Sequence, residues 1–361
     1  MVTIMEIPPL SDVDDANGWA VLAENALWND ELVSMLGYDD LNDSDTAALR
    51  LAVPSSRTVR RRWVALLDPD DRGIVVGAAN ATLPVRDNAD LAGVEVIVAP
   101  EHRRRGIGSA LLERAEQWAG AEGRHTLQSW ATVPGMVAED APSALRPTLG
   151  SGAVDLAAAS TLFMQARGYS LEQVEVHSML RLPVPPEVID PLEADAAAHA
   201  GGYRLVSWQG ECPAEYVDDY ATLRIAMVDA PLAGLTFEAE TWDADSIREV
   251  EQRVRQGGYL TLTTAAQHEA SGALVGFTQL QRLAERDGSA IQEDTVVIAG
   301  HRGHRLGMLL KTANLRLLAS TWPAVRRIHT WNADENDYMR SINIALGFRP
   351  ESSEGAWQKR R

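Results

Sequence analysis

The chain has 361 residues, 45% of them hydrophobic and 23% charged, with a formal net charge of −18 at pH 7. That length suits two domains with their own cores, and the acidic excess argues against nucleic acid, whose phosphates need clustered lysine and arginine. The single cysteine, Cys212, rules out an intrachain disulfide and a multi-cysteine metal site.

No apolar run reaches membrane-spanning length. The opening MVTIMEIPPLSDVDD has neither the basic nor the apolar region of a secretory signal, so no membrane partner and a cytoplasmic location are expected. Residues 3–8 read as a strand. Across 17–36 the apolar positions Trp19, Leu22, Ala26, Leu27, Leu32, Val33 and Leu36 predict a helix. An acidic loop (Asp39, Asp40, Asp43, Asp45) leads to a short helix at 47–52. Two strands at 59–67 and 74–83 are joined by the turn DPDDRG, and Arg60, Arg61 and Arg62 read as a solvated strand edge.

The stretch VEVIVAPEHRRRGIGSALLERAEQW begins with an apolar strand, residues 94–98. It passes through Arg103, Arg104, Arg105, Gly106, Ile107 and Gly108 into a helix with Leu111, Leu112, Ala115 and Trp118 at helical spacing. A strand opens at His125 and Thr126, and TVPGMVAEDAPSALRPTLGSG follows as a loop. Further strands in SLEQVEVHSMLRLPV close a first domain, 1–182. Residues 183–202, proline-rich and then rich in alanine and acid, read as a linker with room for one helical turn. A second domain, 203–361, restarts with the strand YRLVSW. A helix at 215–228, the stretch MVDAPLAG, a helix at 243–256 and the strand YLTLTTAA complete its first half.

The two halves are copies. Gly73, Val76, Gly77 and Arg103 correspond to Gly272, Val275, Gly276 and Arg302 at a constant offset of 199 residues. The second loop is EDTVVIAGHRGHRLGMLLKTANLRLL, with Arg302, Gly303, His304, Arg305, Leu306 and Gly307. Beyond the loops the first copy carries about 25 extra residues before Gly168. A strand that turns tightly into a helix leaves backbone N–H groups unpaired, and those donors with the helix dipole suit a pyrophosphate. The dinucleotide and Walker patterns both fail, for want of a third glycine and of G-K-[ST].

The strand, the R-x-x-G-x-G loop and the helix resemble the acetyl-CoA-binding core of the GNAT N-acetyltransferase superfamily. Gly168-Tyr169 and Leu346-Gly347-Phe348 resemble the L-G-F signature that closes that fold. The second copy, with HRGHRLG, TWNADEN and INIALGF, is the more distinctive. The resemblance covers nearly the whole chain. It implies an α/β fold class: two tandem acyl-CoA N-acyltransferase folds, each a mixed central sheet flanked by helices, with acetyl-CoA as co-substrate. Strands four and five are expected to splay, and the pantetheine arm to pair with the fourth like an added strand. The implied coenzyme-binding positions are Val96, Val98, Arg103, Arg104, Arg105, Gly106, Ile107, Gly108 and Ser109 in the first copy. In the second they are Val297, Arg302, Gly303, His304, Arg305, Leu306, Gly307, Asn332 and Asn336.

The chemistry so implied is direct attack of a primary amine on the thioester. It needs a base for the ammonium proton and a donor for the tetrahedral oxyanion. Candidate bases precede the loops: Glu95 in the first copy, Glu293 and Asp294 in the second. The family tyrosine that protonates the leaving thiolate is Met164 in one copy and Asn343 in the other, with Tyr338 a nearby substitute. The first copy has Trp130 and Ala157 where the second keeps its asparagines, so the second is expected to be catalytic. His301 and His304 lack a carboxylate at ligand spacing, so no metal is expected, and Trp242 is the best candidate to line an acceptor pocket. The expected acceptor is a small cationic amine, and the expected assembly a monomer or homodimer. A coenzyme sensor without catalysis, a mycothiol-synthase-like enzyme and a protein lysine acetyltransferase are the alternatives.

Overall fold

The computed structural model describes residues 2–68, 74–229 and 231–361. The chain forms two compact units. Unit 1 comprises Met1–Glu175, Leu232–Glu238 and Ser352–Arg361; unit 2 comprises Val176–Pro231 and Ala239–Glu351. Gly73 and the rest of the turn at 69–73, like Ala230 in MVDAPLAG, lie outside the described residues. Among the described residues no helix is long and apolar enough to cross a membrane.

Unit 1 runs β1 (Thr3–Ile7), α1 (Gly18–Leu36), α2 (Asp45–Ala52), β2 (Thr58–Leu66), β3 (Val75–Pro84), β4 (Leu91–Val98), α3 (Ile107–Ala121) and β5 (Thr126–Pro134). A short pair, β6 (Ala144–Leu145) and β7 (Val154–Asp155), sits in the extra loop, followed by α4 (Ala159–Ala166) and β8 (Ser170–Arg181). The strand order is β1-β2-β3-β4-β5, antiparallel except for the parallel β4–β5 pair. Leu111, Ala115 and Ala119 recur every four residues on α3, so one helix face packs into the core with Val76, Ala79 and Val94. Arg62 departs from the expected solvated edge: it is buried, and its Nε donates to Glu24 Oε2 at 2.9 Å.

Unit 2 repeats the plan. It contains α5 (Pro186–His199), β9 (Tyr203–Gln209), α6 (Val217–Ile225), α7 (Ala244–Gln256), β10 (Tyr259–His268), β11 (Leu274–Leu283) and β12 (Ser289–Val297). Then come α8 (Leu306–Thr321), β13 (Arg327–Ala333), α9 (Asp337–Leu346) and the start of β14 (Arg349–Arg360). Strands β9 to β13 stand in the same order and senses as β1 to β5. The helix expected at 215–228 is divided: α6 is flanked by 3-10 turns at Ala214–Tyr216 and Ala226–Asp229. The stretch read as a linker holds the fourteen-residue α5, whose Ile189 and Ala196 are buried in the unit's core. A run of alanine and acid suits a spacer and a helix equally; an apolar stripe with something to pack on makes it a helix.

The C-terminal strand belongs to the first repeat's sheet. β14 pairs antiparallel with β5 from Arg360↔Thr126 to Ser352↔Pro134, and Trp357 is buried in the core of unit 1. From Val176 onward, β8 belongs to unit 2, where Leu182 N donates to Arg326 O at 2.8 Å. One cut at 183–202 therefore does not describe the units. Alternation in a sequence predicts a strand but not its neighbour.

Trp357→Ala is expected to cost about 3–5 kcal/mol, the usual loss for a buried tryptophan. Hydrogen exchange should rise in β3, β4 and β5 and stay slow in β10, β11 and β12. Loosening of β10–β12 instead would contradict the assignment of this strand.

Candidate active site

The site in each unit begins where two parallel strands stop pairing. In unit 2, β12 and β13 pair only at Ser289↔Arg327, Ala290↔Ile328 and Ile291↔His329. β12 then continues to Val297 and β13 to Ala333 without pairing, so a wedge opens between them. Thr330 Oγ1 stitches its mouth, donating to Gln292 O at 3.2 Å. In unit 1, β4 and β5 likewise pair from Leu91↔Thr126 to Gly93↔Gln128 and then separate. A strand edge with unsatisfied N–H and C=O groups is a template for an extended ligand.

The two wedges differ at one residue. In unit 1 the register of β3 and β4 is regular, with Asn80 opposite Glu95. In unit 2, Thr278 faces Thr295 and Leu280 faces Gln292, so Glu293 and Asp294 both stand opposite Gln279 in a β-bulge. The Gln292 amide braces that irregularity, with Nε2 donating to Gln279 O at 2.8 Å and Glu293 O at 3.2 Å. Asp294 is taken by an ion pair with Arg224, whose guanidinium lies 4.8 Å from the centre of the Trp242 ring. Glu293 has no such partner. Its side chain reaches solvent, yet the protein gathered around the carboxyl still strips water from it. That desolvation, with the Asp294 carboxylate adding to it and Arg224 opposing, pushes Glu293 up to about 7.

In unit 1 the carboxylates are bound into a network. Asn80 Nδ2 donates to Glu95 Oε2 and Glu24 Oε1, both at 2.8 Å. Glu354 reaches the same region on β14, and burial, with Glu175 and Glu95 as like charges, pushes it up to about 8. Met164, at the position of the family tyrosine, is a buried core side chain.

The loops are built alike. Arg103 Nε donates to Val98 O at 2.8 Å and Arg302 Nε to Val297 O at 2.9 Å, so each arginine buttresses the end of its own strand. The helix then starts from a left-handed residue, Gly106 with φ 83° in one copy and Arg305 with φ 54° in the other. Arg305 thus takes a conformation that costs a non-glycine residue about 1–2 kcal/mol, and its side chain pairs with Asp195. Arg104 and Arg105 are exposed, with Arg105 donating to Glu101 O. A Cβ on Gly307 would sit 3.2 Å from Ile342 and 3.8 Å from the Tyr338 hydroxyl; one on Gly108 would meet Val98 and Phe163. Tyr338 therefore stands at the loop.

Asn336 caps α9, accepting from Met339 N at 3.2 Å, while Asn332 Oδ1 accepts from Asn343 Nδ2 at 2.6 Å. Asp243 caps α7, and the neighbouring Trp242 stacks on Arg224. His301 is bonded to the Tyr203 hydroxyl at 2.9 Å, and no metal-holding group of three ligands occurs among the described residues. Burial pushes the Cys212 thiol up to about 12, which removes it as a nucleophile. Arg224, Glu354 and Lys311 were missed in the sequence. Of these only Lys311 leaves a local trace, as the one charge in the apolar run LGMLLKTANL.

Because the folded chain holds the Glu354 proton more tightly than an unfolded one, this residue's contribution to stability is lost as pH rises from the ordinary glutamate range through about 8. Glu354→Gln is expected to melt above the parent chain at about pH 9 and close to it at about pH 5. A pH-independent difference would contradict this.

Residues 43–139 match the sequence profile of the Acetyltransferase (GNAT) family. The chain is 28% identical, with a TM-score of 0.72, to a tandem GNAT protein from the clavulanic acid biosynthesis pathway, covering 99% of this chain and 98% of that one. A GCN5-related N-acetyltransferase from Sphaerobacter thermophilus shares the fold at 14% identity and a TM-score of 0.58, covering 99% and 95%. No curated sequence relative matches. The splayed strands and arginine–glycine loops recur in both units, one of which carries the matched acetyltransferase (GNAT) domain, and likeness to a tandem GNAT protein extends over the full length.

Proposed function

We propose that the chain moves the acetyl group of acetyl-CoA to a primary amine of a small cationic molecule, and that the wedge of unit 2 is where this happens. The observation that carries the reading is Glu293. It is a carboxyl held near neutrality in a bulge at the opening between β12 and β13, beside a neighbour already neutralised by Arg224. Near neutral pH such a group accepts a proton and releases it again.

The backbone N–H groups from Gly303 to Gly307 hold the pyrophosphate, and the free edge of β12 beyond Ile291 takes the pantetheine arm as an added strand. The ammonium of the acceptor gives its proton to Glu293. The amine lone pair attacks the thioester carbon, and the oxyanion is met by a backbone N–H near Val297. The amine's second proton is lost, the carbon–sulfur bond breaks with its electrons on sulfur, and the amide leaves. Asp294 with Arg224 fixes the strand, and the net charge of −18 favours a cationic acceptor. Unit 1 is assigned a coenzyme-binding or supporting part, since its carboxylates are engaged and Met164 offers no donor.

Glu293→Gln is expected to lower kcat by about a hundredfold or more and to remove the rise in rate through about pH 7, where Glu293 loses its proton. A profile unchanged by the substitution would sink the assignment. Calorimetric titration with acetyl-CoA separates the units. Gly307→Glu places a carboxylate against Ile342 and Tyr338 and is expected to abolish the site that supports turnover, whereas Gly108→Glu is expected to spare turnover. The reverse pattern would move catalysis to unit 1.

A further inference from the structure

The buried face of α8 holds one charged residue, Lys311, which is 3% exposed; its buried neutral polar residues, Thr312 and Asn314, are hydrogen-bonded. A buried ammonium ordinarily faces a carboxylate. Here Nζ donates to Asn343 Oδ1 at 2.9 Å, with the Phe348 ring centre 5.8 Å away. An ammonium has only donors, so it fixes which end of the Asn343 amide it meets. The Asn343 nitrogen is thereby turned to Asn332 Oδ1 at 2.6 Å, and the Asn332 nitrogen becomes the outer end of the chain. Lys311 only donates, each asparagine accepts from the interior side, and such chains polarise along their length. Asn332 and Asn343 line a small cavity with Val176, Ser178, Arg340 and Phe348, in which Arg340 is paired with Asp334. Asn332 lies on β13 three positions beyond His329, the last residue paired with β12, on the far wall of the wedge.

We propose that Lys311 is a positioning residue that, through Asn343, orients Asn332 as a fixed N–H donor toward the sulfur leaving the acyl thioester. This replaces the tyrosine hydroxyl that the family pattern places at position 343. The sulfur departs with the carbon–sulfur electron pair and takes its proton from solvent. The amide donor stabilises the anion without giving up a proton. Burial lowers Lys311 to about 7, so the lysine adds positive charge behind the chain in slightly acid to neutral solution. The inference rests on the reading of unit 2 as the catalytic unit.

The test uses the full chain, acetyl-CoA and a panel of diamines and amino sugars, with thiol release as the readout and calorimetry for coenzyme affinity. Lys311→Met is expected to lower kcat roughly tenfold to a hundredfold while leaving the Kd for acetyl-CoA within about twofold. Adding Asn343→Tyr to Lys311→Met is expected to restore most of the rate, because a phenol donates without the lysine. Asn332→Ala, which leaves α8 intact, is expected to lose kcat by a similar factor and keeps the test open should Lys311→Met fail to fold. Unchanged kcat in Lys311→Met or Asn332→Ala would overturn the inference. So would a loss of rate that tracks coenzyme affinity and is not rescued by the tyrosine. A parent chain that releases no thiol with any amine overturns the catalytic reading, and the inference with it.

Discussion

The structure of both units depends on one interrupted ladder. Parallel strands that pair for three residues and then part leave a backbone edge within a folded domain whose N–H and C=O groups must be met by water or by a ligand. The interruption is built in from both sides. β12 and β4 are held by their antiparallel neighbours, and at Gly77 and Gly276 a Cβ would lie 2.9 and 2.7 Å from a strand carbonyl, so these glycines keep that contact tight. β13 and β5 are held by the strands on their other sides, and in unit 1 that strand is the end of the chain.

The same frame carries two different electrostatic solutions. A regular register in unit 1 lets Asn80 bond Glu95 and Glu24 together, so the carboxylates act as structure. One additional residue in β12 places two carboxylates opposite one glutamine. Asp294 finds Arg224, and Glu293 is left crowded and near neutrality. Desolvation and a like charge raise a carboxyl pKa, and a nearby guanidinium moderates the rise; all three act here. The copies thus diverge where the strands part as well as in the insertion after β5, while the buttressing arginines and the left-handed helix starts remain alike.

The sequence by itself determined the elements, the duplication and the loops. These depend on near neighbours in the chain: helical spacing in α3, the offset of 199 residues, and a strand, arginine and glycine in succession. It also marked Glu95, Glu293 and Asp294 as the carboxylates to watch. Only the tertiary structure decided which of them is held by an arginine, because Arg224 lies 70 residues from Asp294 and nothing local pairs them. Likewise it decided that 183–202 folds as a packed helix, that the last strand completes the first sheet, and that a lysine in α8 meets an asparagine 32 residues away in α9. A periodic pattern says which face of an element is apolar. What that face, or a lone charge within it, will touch is set when the sheet closes, by contacts whose spacing along the chain carries no signal.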